Sequence, residues 1–117
     1  MTADALLEPE AIDRLIGFGG PKLVRGMVEL FVKNAPVKAA DAREALDCGD
    51  AAALRAALHG LKSSAGQLGA TTVYRACVAG EELASRGELE ACTEHVRRLE
   101  ADLPAACLQL QAIAASG

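Results

Sequence analysis

The feature that most constrains this chain is the spacing of its apolar residues, which recur three and four positions apart in most segments. Such spacing places side chains on one face of an α-helix, whereas a half-buried strand would need alternation by two. One regular stripe lies within residues 51–68 and comprises Leu54, Leu58, Leu61, Ala65 and Leu68. We predict a helix over Ala51–Leu68, with Asp50 as its N-cap and Gly69 as its stop.

The N-terminal residues predict a short helix before the main body of the fold. Residues Met1–Leu7 are expected to be frayed, and Pro9–Ile16 forms an opening helix because proline suits a first helical position. Residues 17–20, which include three glycines, end this helix. We expect the aromatic ring of Phe18 to pack into the end of the bundle.

Two long helices contain an internal proline. The first is predicted over Pro21–Cys48 and the second over Leu89–Ile113, each with a regular apolar stripe. Proline lacks a backbone donor and crowds the preceding turn. We therefore expect a kink at Pro36, and a bend or break at Pro104.

The remaining helix is expected to start at Thr71 or Thr72, either of which can cap it, and to end near Arg86. Loops of about two to four residues require neighbouring helices to run antiparallel. Hydrophobic residues make up 51% of the chain and aromatics only 3%, which favours closely packed helices with a Leu, Val and Ala core. The sequence thus predicts an all-α fold, an up-down antiparallel four-helix bundle with a short N-terminal capping helix, as a single domain over residues 1–117.

Charge and cysteine usage narrow the possible functions. The net charge of −4 and the scattered basic residues argue against nucleic acid as a partner. No apolar run approaches the length of a membrane span, and the N-terminus lacks a secretory pattern, so we expect a soluble, cytoplasmic protein. The four cysteines lack metal-ligand or redox spacing, and we expect reduced thiols and no bound metal.

His59 is the candidate site residue because helical geometry turns it about 130° away from the apolar stripe, toward water. Lys62, Ser63 and Gly66 fall in the same sector, and Arg55 lies there one turn earlier. Small neighbours allow another molecule to approach the imidazole closely. This arrangement suits a reaction in a partner's pocket better than one in a pocket of the chain itself.

The residues around this histidine form a longer pattern, His-x-x-Lys-Ser-Ser-x-x-x-Leu-Gly-Ala, over residues 59–70. The pattern resembles the signature of the histidine-containing phosphotransfer (HPt) domain of bacterial phosphorelays. This resemblance implies that His59 accepts a phosphoryl group and exchanges it with the Asp of a response-regulator receiver domain. It also implies hybrid histidine kinases as partners and a four-helix bundle over nearly the whole chain.

The resemblance extends into the next helix through Ala70, Val73, Cys77 and Glu81. One departure is visible there. Gly80 stands where family members commonly carry a large apolar residue, so this helix is expected to pack either closer or more loosely than usual.

Several residues near the histidine have chemistry that suits phosphoryl transfer. Lys62, one turn along, supplies a cation for the phosphoryl oxygens. Ser63 and Gln67 are candidates to hydrogen-bond those oxygens or the ring, and the resemblance favours Gln67. A glycine inside a helix costs about 0.5–1 kcal/mol relative to alanine, so we interpret Gly66 as a flat place for partner docking rather than as a close helix contact. With Arg55, these residues make up the expected binding set.

Nothing in the chain resembles a nucleotide loop or an Asp/Asn pair for Mg²⁺. We therefore expect a phosphocarrier without autonomous kinase activity or bound cofactor, monomeric, with Mg²⁺ supplied by the partner receiver domain. Two alternatives stay open: a non-phosphorylated helical-bundle adaptor that binds receiver domains, and an enzyme with His59 as general base. The latter needs an orienting carboxylate, and no Asp or Glu lies one turn away on the same helix. His95 lacks the neighbouring Lys and small residues, and we interpret it as a solvated surface side chain.

Overall fold

A computed structural model describes residues 6–116, which form four helices joined by short turns. The helices are α1 (Pro9–Cys48), α2 (Ala51–Leu68), α3 (Thr71–Ser85) and α4 (Leu89–Ser116). Each packs against its two neighbours in cyclic order, so that α4 closes the bundle against α1. Turns of two or three residues leave no room for a crossover, and the helices run up and down in alternation. The predicted all-α four-helix bundle is confirmed.

The opening helix and the long helix after it are continuous in α1, except at one residue. Gly20 adopts φ 77° and ψ −179°, outside the helical range, and Pro21 restarts the helix beyond it. The expected junction is therefore present, but the opening helix continues to Gly19 instead of ending at Ile16. Phe18, however, is 88% exposed, and the prediction that it packs into the bundle is wrong. It shares a helical face with buried Ala11, but the last turn before the junction extends beyond the core.

Neither internal proline interrupts its helix. Within α1 only Gly20 departs from helical angles, and α4 continues through Pro104 to Ser116. Pro36 and Pro104 are both exposed. Their rings face water on the outer side of the bundle, where a missing backbone hydrogen bond is least costly.

The predicted helix boundaries at both ends of α2 are confirmed. The Asp50 side chain accepts a hydrogen bond from the backbone N–H of Ala53 at 3.0 Å. Gly49 and Gly69 have φ of 73° and 72°, the left-handed geometry that ends a helix.

The N-terminal segment pairs with the turn between α2 and α3. Glu8 N donates to Gly69 O at 2.7 Å, and Thr71 N donates to Leu6 O at 3.0 Å. Leu6 and Leu7 are partly buried against the core. The expected fraying is therefore wrong for these two leucines, while the rest of that prediction, residues 1–5, lies outside the described residues.

The start of α3 also differs from the prediction. Its N-cap is Ala70, with no side-chain cap, and both threonines lie inside the helix. The Thr71 hydroxyl bonds to the carbonyl of Gly69 behind it, and its backbone N–H is satisfied by Leu6 instead of by a capping side chain. A tertiary contact has replaced the local cap.

Close packing between α2 and α3 centres on Gly80, which is buried. A Cβ atom there would lie 2.8 Å from Leu58 Cδ1 and 3.7 Å from His95 Cβ. The departure noted in the sequence therefore brings the helices closer together. The core consists of Leu, Val, Ala and Cys with Ile12 and Phe31, as the aromatic-poor composition predicts.

All four cysteines are free thiols, as expected. Cys48 is exposed and the other three are buried, and desolvation raises the pKa of the Cys77 thiol to about 12. Across residues 6–116, no group of His, Cys, Asp and Glu side chains is arranged to hold a metal ion. None of the four described helices is long and apolar enough to cross a membrane.

Candidate functional site

His59 lies at the middle of α2, on the side that faces water. Leu58 and Leu61 are 1% exposed and turn toward the core, which forces the intervening positions outward. The imidazole is 66% exposed, as the helical spacing predicts. A reactive group at this position is open to another molecule.

The ring is nevertheless held by a carboxylate from the neighbouring helix. His59 Nδ1 lies 2.8 Å from Glu81 Oε2, and Lys62 Nζ lies 2.6 Å from Glu81 Oε1. The Glu81 side chain is only 12% exposed. One nearly buried carboxylate of α3 thus bridges the histidine and the lysine of α2.

The role of Glu81 could not be predicted from the residues next to His59, because the two are 22 positions apart. The sequence did contain one signal for Glu81. It lies four residues after buried Cys77 and directly after buried Gly80, so helical spacing places its carboxylate beside the packed face of α3. The resemblance named this residue but gave it no role. No Asp or Glu lies one turn from His59 on α2, and the orienting carboxylate is instead supplied by α3.

Lys62 differs from its predicted solvent position. Its side chain is 27% exposed and is paired with Glu81, so it is not a freely moving cation. The i+3 spacing from His59 turns it toward α3, where Glu81 draws it inward. Its expected place beside the histidine is correct, but its expected solvation is wrong.

Electrostatics determine which ring nitrogen carries the proton. Desolvation alone would raise the pKa of Glu81, but hydrogen bonds and charge from Lys62 and His59 lower it below the ordinary value. The carboxylate is therefore ionised and can only accept hydrogen bonds. Nδ1 must donate, which leaves the lone pair on Nε2. Among the described residues, none hydrogen-bonds Nε2.

The other predicted site residues lie on the exposed side of α2. Arg55, Ser63, Gly66 and Gln67 are all exposed, and Arg55 and Ser63 lie one turn on either side of His59. Gln67 is two turns from the histidine, about 12 Å along the helix axis. The structure therefore groups Arg55 and Ser63 with the imidazole and places Gln67 in a separate part of the same surface.

Gly66 makes a close contact with a neighbouring helix, which is the interpretation that its sequence position did not favour. A Cβ atom there would lie 3.2 Å from both Cδ1 and Cε1 of Tyr74 on α3. The absence of a side chain at Gly66 therefore lets an aromatic ring pack against α2. Tyr74 is 40% exposed, so the ring has room to move.

An open groove of about 500 Å³ runs between α1 and α2, beginning beside the histidine at Gly60. Leu30 and Val37 line it and are 61% and 57% exposed. Asn34 and Gln67 provide polar groups along it. This combination of exposed aliphatic and neutral polar side chains suits contact with another macromolecule.

The second histidine has different surroundings. His95 is half-buried on α4, packed behind Gly80, so its predicted full solvation is wrong. It lies in a groove between α3 and α4, together with Thr72, Arg75 and Arg98. It is therefore separated from the His59 surface by α3.

Comparisons with known proteins bear on the family and the fold of this chain. A family model described as the Hpt domain matches residues 26–113, which include all four helices in whole or in part. The structure is similar to the crystal structure of histidine-containing phosphotransfer protein B (HptB) from Pseudomonas aeruginosa PAO1, with a TM-score of 0.88 and 22% identity. That similarity covers 98% of this chain and 99% of the other. A search of curated proteins returned no match.

Proposed function

The chain belongs to the Hpt domain family, and from this premise we propose that it carries a phosphoryl group on His59 within a phosphorelay. The observation that carries the proposal is the exposed imidazole, whose Nδ1 is bonded to Glu81 while Nε2 is open to solvent. In the neutral ring, that arrangement leaves the nucleophilic nitrogen facing an approaching partner.

The proposed partner is the receiver domain of a response regulator, with a hybrid histidine kinase at another step of the relay. Nε2 of His59 attacks the phosphorus of the receiver's phospho-aspartate in line with the leaving carboxylate, and the reverse step returns the phosphoryl group. Mg²⁺ and its carboxylate ligands belong to the receiver. The chain itself contributes the nucleophile and no cofactor.

Lys62 provides the positive charge nearest to the phosphoryl group. In the resting protein it is bonded to Glu81, so it must share its charge between that carboxylate and an incoming phosphoryl oxygen. Arg55 and Ser63 lie one helical turn from His59 and can add a charge or a hydroxyl donor. These three side chains are the proposed phosphate contacts.

The α1–α2 groove supports docking of the receiver on that side of His59. It begins at Gly60 and has exposed aliphatic side chains, which a partner can bury. Gln67 belongs to this docking region, because about 12 Å of helix separates it from the histidine. Gly66 lies outside this groove on α2, where the absence of a side chain leaves a flat surface beside Tyr74.

One observation favours a second candidate, general-base catalysis by His59. The Glu81–His59 pair supplies the orienting carboxylate that such a mechanism requires. However, the imidazole is 66% exposed on a convex helix surface, where a small substrate would remain in water. Phosphoryl exchange in a partner's pocket fits this exposure better.

Label transfer from a partner tests the proposal. A receiver domain is phosphorylated with a small-molecule donor, separated from that donor and mixed with the chain and Mg²⁺. We expect acid-labile, base-stable label to appear on the chain, and no label when the chain is incubated with ATP and Mg²⁺ alone. Incorporation from ATP without a kinase would contradict the carrier function, and receiver binding without transfer would favour the adaptor alternative.

A further inference from the structure

A lysine of α1 lies against α2 at the position next to the histidine. The Lys38 side chain reaches Gly60, where a Cβ atom would lie 3.7 Å from Lys38 Cε and 4.0 Å from Cδ. Gly60 directly follows His59 and faces α1, whereas Lys62 faces α3, where it bonds to Glu81. The surface of α2 that carries the imidazole is therefore bordered by a lysine on each side.

The absence of a side chain at Gly60 leaves space for this lysine. The separation of 3.7 Å is an ordinary van der Waals distance, which an aliphatic chain adopts without strain. A long side chain at Gly60 would occupy the same space and displace the lysine. Lys38 therefore lays its methylene groups over Gly60, and since the residue is exposed, its ammonium group stays at the surface.

The two lysines differ in whether their charge is already balanced. Lys62 Nζ lies 2.6 Å from Glu81 Oε1, so a carboxylate of the same protein offsets its charge. Within residues 6–116, by contrast, Lys38 makes no hydrogen bond and no ion pair. An ammonium group on a flexible stem, with no carboxylate bound in the free protein, is available to an acidic group of another molecule.

Lys38 also lies at a change of charge along the boundary between α1 and α2. Among the described residues that line the α1–α2 groove, Lys38 is the only charged one. On its other side it borders a second groove, of about 420 Å³, whose lining includes Asp41, Glu44 and Asp50. These carboxylates repel an acidic partner, while Lys38 attracts it. The charge pattern thus favours an acidic partner over the first groove, next to His59.

A receiver domain has the matching chemistry, because it must bring its reactive Asp and the carboxylate ligands of Mg²⁺ to Nε2 of His59. We propose that Lys38 forms an ion pair with a carboxylate of the docked receiver at the edge of its transfer site, and thereby selects an acidic partner. This inference rests on the proposed function. It makes Lys38 a residue that determines the affinity of docking and leaves the rate of the chemical step unchanged.

The test is the rate of phosphoryl transfer to the full chain, measured against the concentration of phosphorylated receiver. The receiver is one that labels the wild-type chain, phosphorylated with acetyl phosphate and then separated from it. We expect Lys38→Met to raise the half-saturating receiver concentration by about fivefold, with a limiting rate within about twofold of wild type. Lys38→Glu should raise that concentration further, because it opposes two negative charges, and Lys38→Arg should keep it near wild type.

Lys33→Met is the matched control for the loss of a surface charge. Lys33 is also exposed on α1, but it lines a groove between α1 and α4, so its half-saturating concentration should equal that of wild type. Added salt should reduce the difference between Lys38→Met and wild type, because it screens an exposed ion pair. A difference caused only by lost packing on Gly60 would not decrease with salt.

The outcomes distinguish this inference from the proposed function. Direct labelling of His59 with phosphoramidate needs no receiver and should proceed at the wild-type rate in every Lys38 variant. Slower direct labelling would show that Lys38 acts on the phosphoryl group, and would overturn the ion pair with the receiver. Equal half-saturating concentrations for wild type and Lys38→Glu would overturn it too, while the carrier function stands. If no receiver labels the wild-type chain, the proposed function fails, and the inference fails with it.

Discussion

Gly80 of α3 packs against Leu58 of α2 so closely that a Cβ atom on the glycine would lie 2.8 Å from Leu58 Cδ1. Each of these residues directly precedes a member of the site, Glu81 and His59. The close approach of the two helices therefore brings the carboxylate within 2.8 Å of the imidazole. A packing detail of the core thus determines the geometry of an exposed site.

Gly80→Ala should destabilise the bundle. The added methyl group meets Leu58 on one side and His95 on the other, so α3 cannot shift to relieve the contact. We expect the free energy of unfolding to fall by about 1–3 kcal/mol in denaturant titrations. Gly26→Ala is the control, because nothing lies within 4 Å of its Cβ position and the helix gains about 0.5–1 kcal/mol. Equal stability of the two variants would disprove the close contact.

Lys62→Ala should affect both stability and transfer. It leaves the nearly buried Glu81 carboxylate without its 2.6 Å partner, which we expect to cost about 1–3 kcal/mol of unfolding free energy. Removal of the cation nearest to the phosphoryl group should also slow transfer from a receiver by about tenfold or more. Melting curves and a transfer time course measure the two effects. If the variant has wild-type stability and a wild-type transfer rate, Lys62 is an ordinary solvated charge.

Acid should weaken the fold through two carboxylates whose pKa values are lowered. Lys62 and His59 lower the pKa of Glu81 despite its desolvation, and a hydrogen bond from Arg43 lowers that of Glu100. A carboxylate with a lower pKa in the folded state stabilises the protein above its ordinary value of 4.5, and this stabilisation is lost as the pH falls through the folded value.

The wild-type melting temperature should therefore fall steeply below about pH 4.5, and Glu81→Gln should show a smaller fall. Glu100→Gln provides an independent comparison at a site 2.6 Å from Arg43 and remote from the histidine. Parallel curves for the wild-type protein and Glu81→Gln would show that the bridge does not contribute to the acid response.

Gly66→Gln tests the proposed docking surface. The gain in helix propensity is offset by the ring of Tyr74 at 3.2 Å, so we expect the unfolding free energy to stay within about 0.5 kcal/mol of wild type. Transfer from the receiver should fall sharply, whereas labelling by a small-molecule donor should persist. Gly26→Gln on α1 is the matched control. Full transfer in the Gly66 variant would show that this glycine has no role in docking and serves only the contact with Tyr74.

Whether a feature could be predicted from the sequence depends on how far apart along the chain its interacting residues lie. The outward position of His59 and the cap at Asp50 depend on residues within one or two turns, and spacing alone determines them. The bridge by Glu81 and the pairing of Leu6 with Thr71 join residues from different elements. Neither follows from a local pattern, because each requires knowledge of which helix faces lie together. The exposure of Phe18 was missed for the same reason.

The most direct test of the central claim is phosphoryl labelling of His59→Gln beside His95→Gln. Both variants remove an imidazole, but one lies on the exposed surface of α2 and the other is half-buried behind α3. With a phosphorylated receiver as donor, we predict no acid-labile label on His59→Gln and near wild-type label on His95→Gln. Acid-labile label that persists on His59→Gln would contradict the assignment of His59 as the phosphoacceptor.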